Sequence, residues 1–151
     1  MSETRQAIYM NGLNKEELLN LIEALRIDKS EFWLLSTSAL VMRGICSDAS
    51  DLDIAVTDKG LEQLRQRYNL KPKGDGFYNV TNRVDCVCDG AIDKLKYKPE
   101  LIDGYLCQNI NEYLNYLKAS DREKDKQRIP IVEAYINNAD YTSKEDAGGD
   151  S

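Results

Sequence analysis

Residues 33 to 56 read WLLSTSALVMRGICSDASDLDIAV: an apolar run, a cluster of small hydroxylated residues, a short helical stretch, and a second apolar run carrying Asp51 and Asp53. Alternate side chains of a strand share a face, so the two aspartates point one way while Leu52 and Ile54 point into a core. Two carboxylates held side by side repel unless a cation lies between them, and hard divalent ions take carboxylate oxygens. The pair reads as a magnesium site; the plainer reading is an edge strand with a solvated acidic face. The surrounding order favours the first. It runs strand (Trp33 to Leu35), small-residue turn (Ser36, Thr37, Ser38), helix (Ser38 to Ile45), glycine (Gly44), then acidic strand (Leu52 to Thr57).

That order resembles the DNA polymerase β-like nucleotidyltransferase superfamily, in its small aminoglycoside- and lincosamide-modifying and minimal bacterial branches. There a pattern like GGxALxxxG followed by DxD is found. Ser36 and Thr37 stand at the two glycines, Ala39 and Leu40 at the helix start, Gly44 at the later glycine, and Asp51 and Asp53 at the metal carboxylates. In the segment 82 to 89, NRVDCVCD, Asp85 falls where the family has its third carboxylate, on a neighbouring strand. Val84 and Cys86 share one face of that run, and Arg83, Asp85 and Val87 the other. Residues 109 to 133 are similar to the helical tail of the small members, with Lys118, Arg122, Lys124 and Asp125 carrying the likeness. The resemblance spans roughly residues 31 to 135.

It implies an α+β, nucleotidyltransferase-like fold: a small mixed sheet flanked by helices, with a helical tail. The expected division is one domain over 1–137, its core at about 31–89 and its tail at about 99–137, followed by a disordered polar end at 138–151. It also implies metal-dependent transfer of a nucleotidyl group, adenylyl first, from a nucleoside triphosphate to a hydroxyl of a small molecule or partner protein. Asp51, Asp53 and Asp85 would be catalytic and would hold magnesium, two ions in the family's manner. Asp85 would either complete a metal shell or serve as general base. Ser36, Thr37 and Ser38, with Lys118 and Lys124, would bind the nucleotide. Small family members often act beside a helical, toxin-like partner. The departure lies at Ser36-Thr37: if the first position requires positive φ, serine pays a penalty there that glycine does not. A catalytically inactive binding or regulatory module on the same scaffold is the alternative.

Composition agrees with a small enzyme. The chain has 151 residues, 42% apolar and 30% charged, enough to bury about two-thirds of its unfolded surface. A formal charge of −6 discourages a nucleic-acid surface. The basic stretch Arg122 to Arg128 is interleaved with acids, and reads as a solvated face or a phosphate contact. No apolar run is long enough for a membrane, and MSETRQAIYM lacks the layout of a signal peptide, so the expected location is the cytoplasm. The four cysteines lack zinc-site spacing, Cys86 and Cys88 being two apart on a strand and Cys46 and Cys107 isolated, and with no histidine to complete a set they read as buried free thiols; a histidine-activated nucleophile is excluded, so base chemistry must fall to a carboxylate.

The remaining elements follow from periodicity and capping. Asn14 with Glu17 starts a helix whose Leu18, Ile22 and Leu25 recur at helical spacing. Lys59 to Tyr68 reads as a helix, KPKGDG at 71 to 76 as a turn, and Phe77–Val80 and Val84–Val87 as strands. From Pro99 the chain is expected to be helical. Asn109 caps one helix and Ser120 with Glu123 the next, which Pro130 should kink or split.

Overall fold

A computed structural model describes residues 12–90 and 95–149. The N-terminal segment examined for a signal peptide falls outside the described residues. The chain divides after Gln108 into two compact units.

In the first unit seven strands form one mixed sheet. They are β1 (Phe32–Leu34), β2 (Leu52–Thr57), β3 (Lys71–Gly74), β4 (Phe77–Thr81), β5 (Val84–Gly90), β6 (Glu100–Ile102) and β7 (Tyr105–Cys107), in the order β3-β4-β5-β2-β1-β7-β6. At the centre β2 pairs antiparallel with β1 and parallel with β5. Parallel neighbours need a crossover, and the chain between them supplies a helix and the β3–β4 hairpin. Leu34, Leu52 and Ile54 are completely buried and Val84 nearly so, which is why this middle reads as apolar runs.

Among the described residues, three α-helices belong to this unit. Helix α1 (Lys15–Leu25) opens on the expected capping box: the Glu17 amide donates to Asn14 Oδ1 at 2.9 Å and the Asn14 amide to Glu17 Oε1 at 3.0 Å. It buries Leu18, Ile22 and Leu25. Helix α2 (Ser36–Met42) starts two residues before the expected position. Helix α3 (Asp58–Arg67) is capped by the Thr57 hydroxyl, which accepts from the Gly60 amide at 3.1 Å. A Cβ on Gly60 would lie 2.5 Å from the Glu31 carbonyl oxygen, so only glycine lets α3 approach so closely.

Two elements correct the sequence reading. KPKG is a strand, not only a turn; the turn is confined to its tip, where Gly74, Asp75 and Gly76 all have positive φ. All four β3 residues are exposed, so no alternation marks the strand, and Pro72 is tolerated because β3 is an edge with a single partner. After Pro99 the chain forms the β6–β7 hairpin before any helix. Asp103 and Gly104, at φ 50° and 87°, make its two-residue turn, and Asp-Gly is the residue pair such turns prefer.

The second unit holds α4 (Ile110–Ala119) and α5 (Glu123–Gly149). Asn109 caps α4 as expected, accepting from the amides of Asn111 and Glu112 at 2.9 and 3.4 Å. The expected box at Ser120 is not formed, because Glu123 is the first residue of α5. The Ser120 hydroxyl instead accepts from the Arg122 amide at 3.1 Å and donates to Asp125 Oδ2 at 2.6 Å. Pro130 does not split α5, which runs past Asn138 to Gly149. Pro130 and Lys126 are both exposed, so water can serve the carbonyl that the proline leaves without a donor. Among the described residues no helix is long and apolar enough to cross a membrane.

Candidate functional site

Strand register brings two of the three aspartates face to face. Asp53 on β2 is paired directly with Asp85 on β5, and Asp85 with Asn79 on β4. Asp51 precedes β2 by one residue. Leu52 and Ile54 fill the opposite face, so the core itself turns the carboxylates to one side. Burial, then the charges of Asp85 and Asp51, raise the Asp53 pKa from 3.8 to about 6, with Lys73 acting in the opposite direction.

Asp85 is buried and accepts at both oxygens. Lys73 Nζ donates to Oδ2 at 2.7 Å and Asn79 Nδ2 to Oδ1 at 3.2 Å. That hydrogen bond and the Asp85 charge hold the Lys73 pKa above its ordinary value. Asp51 Oδ1 faces Arg83 Nε at 3.5 Å, and the same guanidinium donates to the Ser50 carbonyl from Nε at 3.0 Å and Nη2 at 2.6 Å. Arg83 also lines a cavity of about 520 Å³ with Leu13, Glu17, Leu21 and Asn82.

The turn before α2 bears on the acidic strand through Ser38. Its buried hydroxyl donates to the Asp51 carbonyl at 3.0 Å and accepts from the Asp53 amide at 3.0 Å. The Ser38 hydroxyl thus holds the DxD backbone. Ser36 sits at φ 50°, the left-handed conformation that glycine adopts without cost. Its amide donates to Gln108 Oε1 at 2.9 Å. Gln108 is held in turn by its own amide on the Leu34 carbonyl at 2.7 Å and by buried Arg43, whose Nη2 donates to the Gln108 carbonyl at 2.9 Å. Thr37 lies next to Ser36 in the first turn of α2 and is half-buried.

Lys118 and Lys124 belong to the second unit. Lys118 Nζ pairs with Glu133 at 3.6 Å, and Lys124 is exposed on α5. Asp125 is buried and receives the Ser120 hydroxyl, a local structural role. Lys73, Asn79, Arg83 and Gln108 are absent from the sequence-derived site. Strand register, which pairs Asn79 with Asp85, puts Asn79 on the carboxylate face, and Lys73 reaches it from beside an irregularity in β3, so no sequence pattern announces either.

The four cysteines are free thiols, and burial pushes Cys86 and Cys107 up to about 11, which keeps them protonated and inert. The chain matches no protein-family model and no curated protein.

The donor set suits magnesium in kind, being all carboxylate, and Asp53 carries the repulsion that a cation would relieve. In arrangement it is not yet a cage. Among the described residues no group of three such side chains is gathered closely enough to hold one ion, while Lys73 and Asn79 engage Asp85 and Arg83 faces Asp51.

Proposed function

We propose that this chain transfers a nucleotidyl group, adenylyl first, from a nucleoside triphosphate to a hydroxyl of a small-molecule or protein acceptor, on a nucleotidyltransferase-like fold. The observation that carries this reading is the direct pairing of Asp53 with Asp85 on parallel buried strands, with Asp51 beside them and Asp53 driven to about 6. Strongly perturbed carboxylates of this kind cluster at functional sites. Asp51, Asp53 and Asp85 would hold magnesium, which when bound neutralises the phosphates and so lowers the cost of charge movement in transfer. The chain's own residues position the rest. The Ser38 hydroxyl fixes the Asp51–Asp53 backbone, and the cavity beside Arg83 has the size of a small-ligand site and would admit the acceptor. The acceptor oxygen displaces pyrophosphate at the α-phosphorus, and a carboxylate takes its proton. Four cysteines without a disulfide suit a reducing compartment such as the cytoplasm.

The test is calorimetric. Magnesium with ATP, GTP, CTP or UTP at millimolar concentration should raise the melting temperature more than either component alone, since selective binding to the folded state must do so. No shift with any of the four would sink the reading.

A second reading, an inactive module on the same scaffold, is favoured by Ser36, whose amide is taken by Gln108 and whose side chain occupies a glycine conformation. The Ser36→Gly, Thr37→Gly double variant separates the two. Weaker nucleotide binding supports hydroxyl contacts in a working site, about 0.5–1.5 kcal/mol each; tighter binding supports a turn whose side chains obstruct the phosphates.

A further inference from the structure

The cavity beside Arg83 has two kinds of wall. Buried Leu13 and half-buried Leu21 give it an apolar part, and Glu17, Asn82 and Arg83 a polar one. Its volume of about 520 Å³ is that of a small organic ligand, far more than a lone ion or one water requires. The walls are fixed before any ligand arrives. Leu13 is fastened to Ala49 by two backbone hydrogen bonds, its amide donating at 2.6 Å and its carbonyl accepting at 2.9 Å. Glu17 is set by the α1 capping box: Oε1 accepts from the Asn14 amide at 3.0 Å, which positions the carboxylate without neutralising it. Groups held in this way lose little freedom on binding.

Charge then selects the ligand. The Arg83 guanidinium donates to the Ser50 carbonyl from Nε and Nη2 and faces Asp51 at 3.5 Å, so its charge is already opposed. Among the described residues Glu17 has no cationic partner. We propose that this cavity binds a small organic ammonium, its charged head on Glu17, its apolar body against Leu13 and Leu21, and a hydrogen-bonding substituent on the Asn82 amide. As a statement about the acceptor this rests on the nucleotidyl-transfer reading above, Arg83 being common to the cavity and to Asp51. As a binding site it requires neither magnesium nor nucleotide. Apolar contact supplies most of the affinity, because Glu17 is exposed and an exposed ion pair is weak; the carboxylate supplies the preference for a cation.

The experiment titrates three probes of one shape and different charge, 2-phenylethylamine, 2-phenylethanol and 3-phenylpropanoate, into the nitrogen-15-labelled full chain without magnesium or nucleotide, and follows the amide signals by NMR. The amine should bind more tightly than the alcohol, and the carboxylate most weakly, with the largest shifts at Leu13, Glu17, Leu21 and Arg83. Glu17→Gln should weaken the amine by about threefold, the size of an exposed ion pair, and leave the alcohol unchanged; glutamine also completes a capping box, so the helix start is kept. Leu21→Gln should weaken amine and alcohol by similar factors. Glu16→Gln, a neighbouring exposed acid of α1 outside the cavity wall, should change neither. An amine that binds no better than the alcohol, shifts that lie away from these residues, or a preference that survives Glu17→Gln would overturn the proposal. Amine binding at the cavity, with no stabilisation by magnesium and any of the four triphosphates, would leave this site standing and overturn the transfer reading. The reverse result would overturn the site alone.

Discussion

The central pair β2–β5 and the edge hairpin β3–β4 build the same site by opposite means. In the first, completely buried Leu52 and Ile54 and near-completely buried Val84 lock the strands, so Asp53 and Asp85 face each other in spite of their repulsion. In the second, every residue of β3 is exposed, and Lys73 reaches the site on the length of its side chain. Apolar packing supplies negative charge where it is costly; a solvated edge supplies positive charge that offsets it. The two signs of charge in this site thus come from different layers of burial.

The contrast breaks first at the core. Leu52→Ala removes a completely buried side chain from the strand that carries both aspartates. It should cost about 2–5 kcal/mol in denaturant unfolding. A loss well below that range would mean that β2 is not locked as described.

Ser38→Ala should come next. It deletes a buried hydroxyl that serves the Asp51 carbonyl and the Asp53 amide, leaving both without that partner. The expected loss is about 1–3 kcal/mol, accompanied by weaker magnesium binding, since the DxD backbone is no longer held. Full stability in this variant would show that the strand positions the aspartates unaided.

Asp53→Asn sharpens the electrostatic side of the comparison. The folded protein holds the Asp53 proton to about pH 6 against an ordinary value of 3.8, so it binds more protons than the unfolded chain between those limits. Stability from this group is therefore fully present below about pH 4 and is lost as pH rises through about 6. In the absence of metal the variant should be more stable than the parent at pH 8, by about 1 kcal/mol after allowance for solvent screening, and equal to it near pH 4. Thermal melts across that range check it; a variant less stable at pH 8 would contradict the sign.

The smallest effect belongs to the edge. Lys73→Gln should change unfolding stability less than any of these, because the lysine end of the pair is exposed on an edge strand. A larger loss would make Lys73 a structural clamp and erase the distinction between hairpin and core.

Legibility divides along the same line. β2, the α1 capping box, the Asn109 cap and the shared face of the aspartates all express periods or spacings of two to four residues, and each was readable from the chain itself. The β3 strand and the β6–β7 hairpin were not read as strands. They are short and lie at the outer ends of the sheet, and β3 exposes every side chain, so no apolar alternation announces them. A signal existed in the Asp103-Gly104 pair and in Gly74-Asp75-Gly76, the residues that turns with positive φ require. The continuation of α5 through Pro130 escaped reading for another reason: whether a proline breaks a helix depends on whether the freed carbonyl faces water or a dry interior.

By itself the sequence determined a mixed α+β chain, its apolar central strand, and two aspartates presented on one face, because hydrophobic alternation and capping act over a few residues and need no knowledge of the partner. Only the tertiary structure decided that Asp85 lies opposite Asp53, that Ser38 turns inward to hold both residues flanking Leu52, and that Lys73 becomes the cation among them. Those outcomes depend on strand order and register, which join residues 12 to 32 positions apart, and on the balance between burying a charge and neutralising it, which no local pattern records.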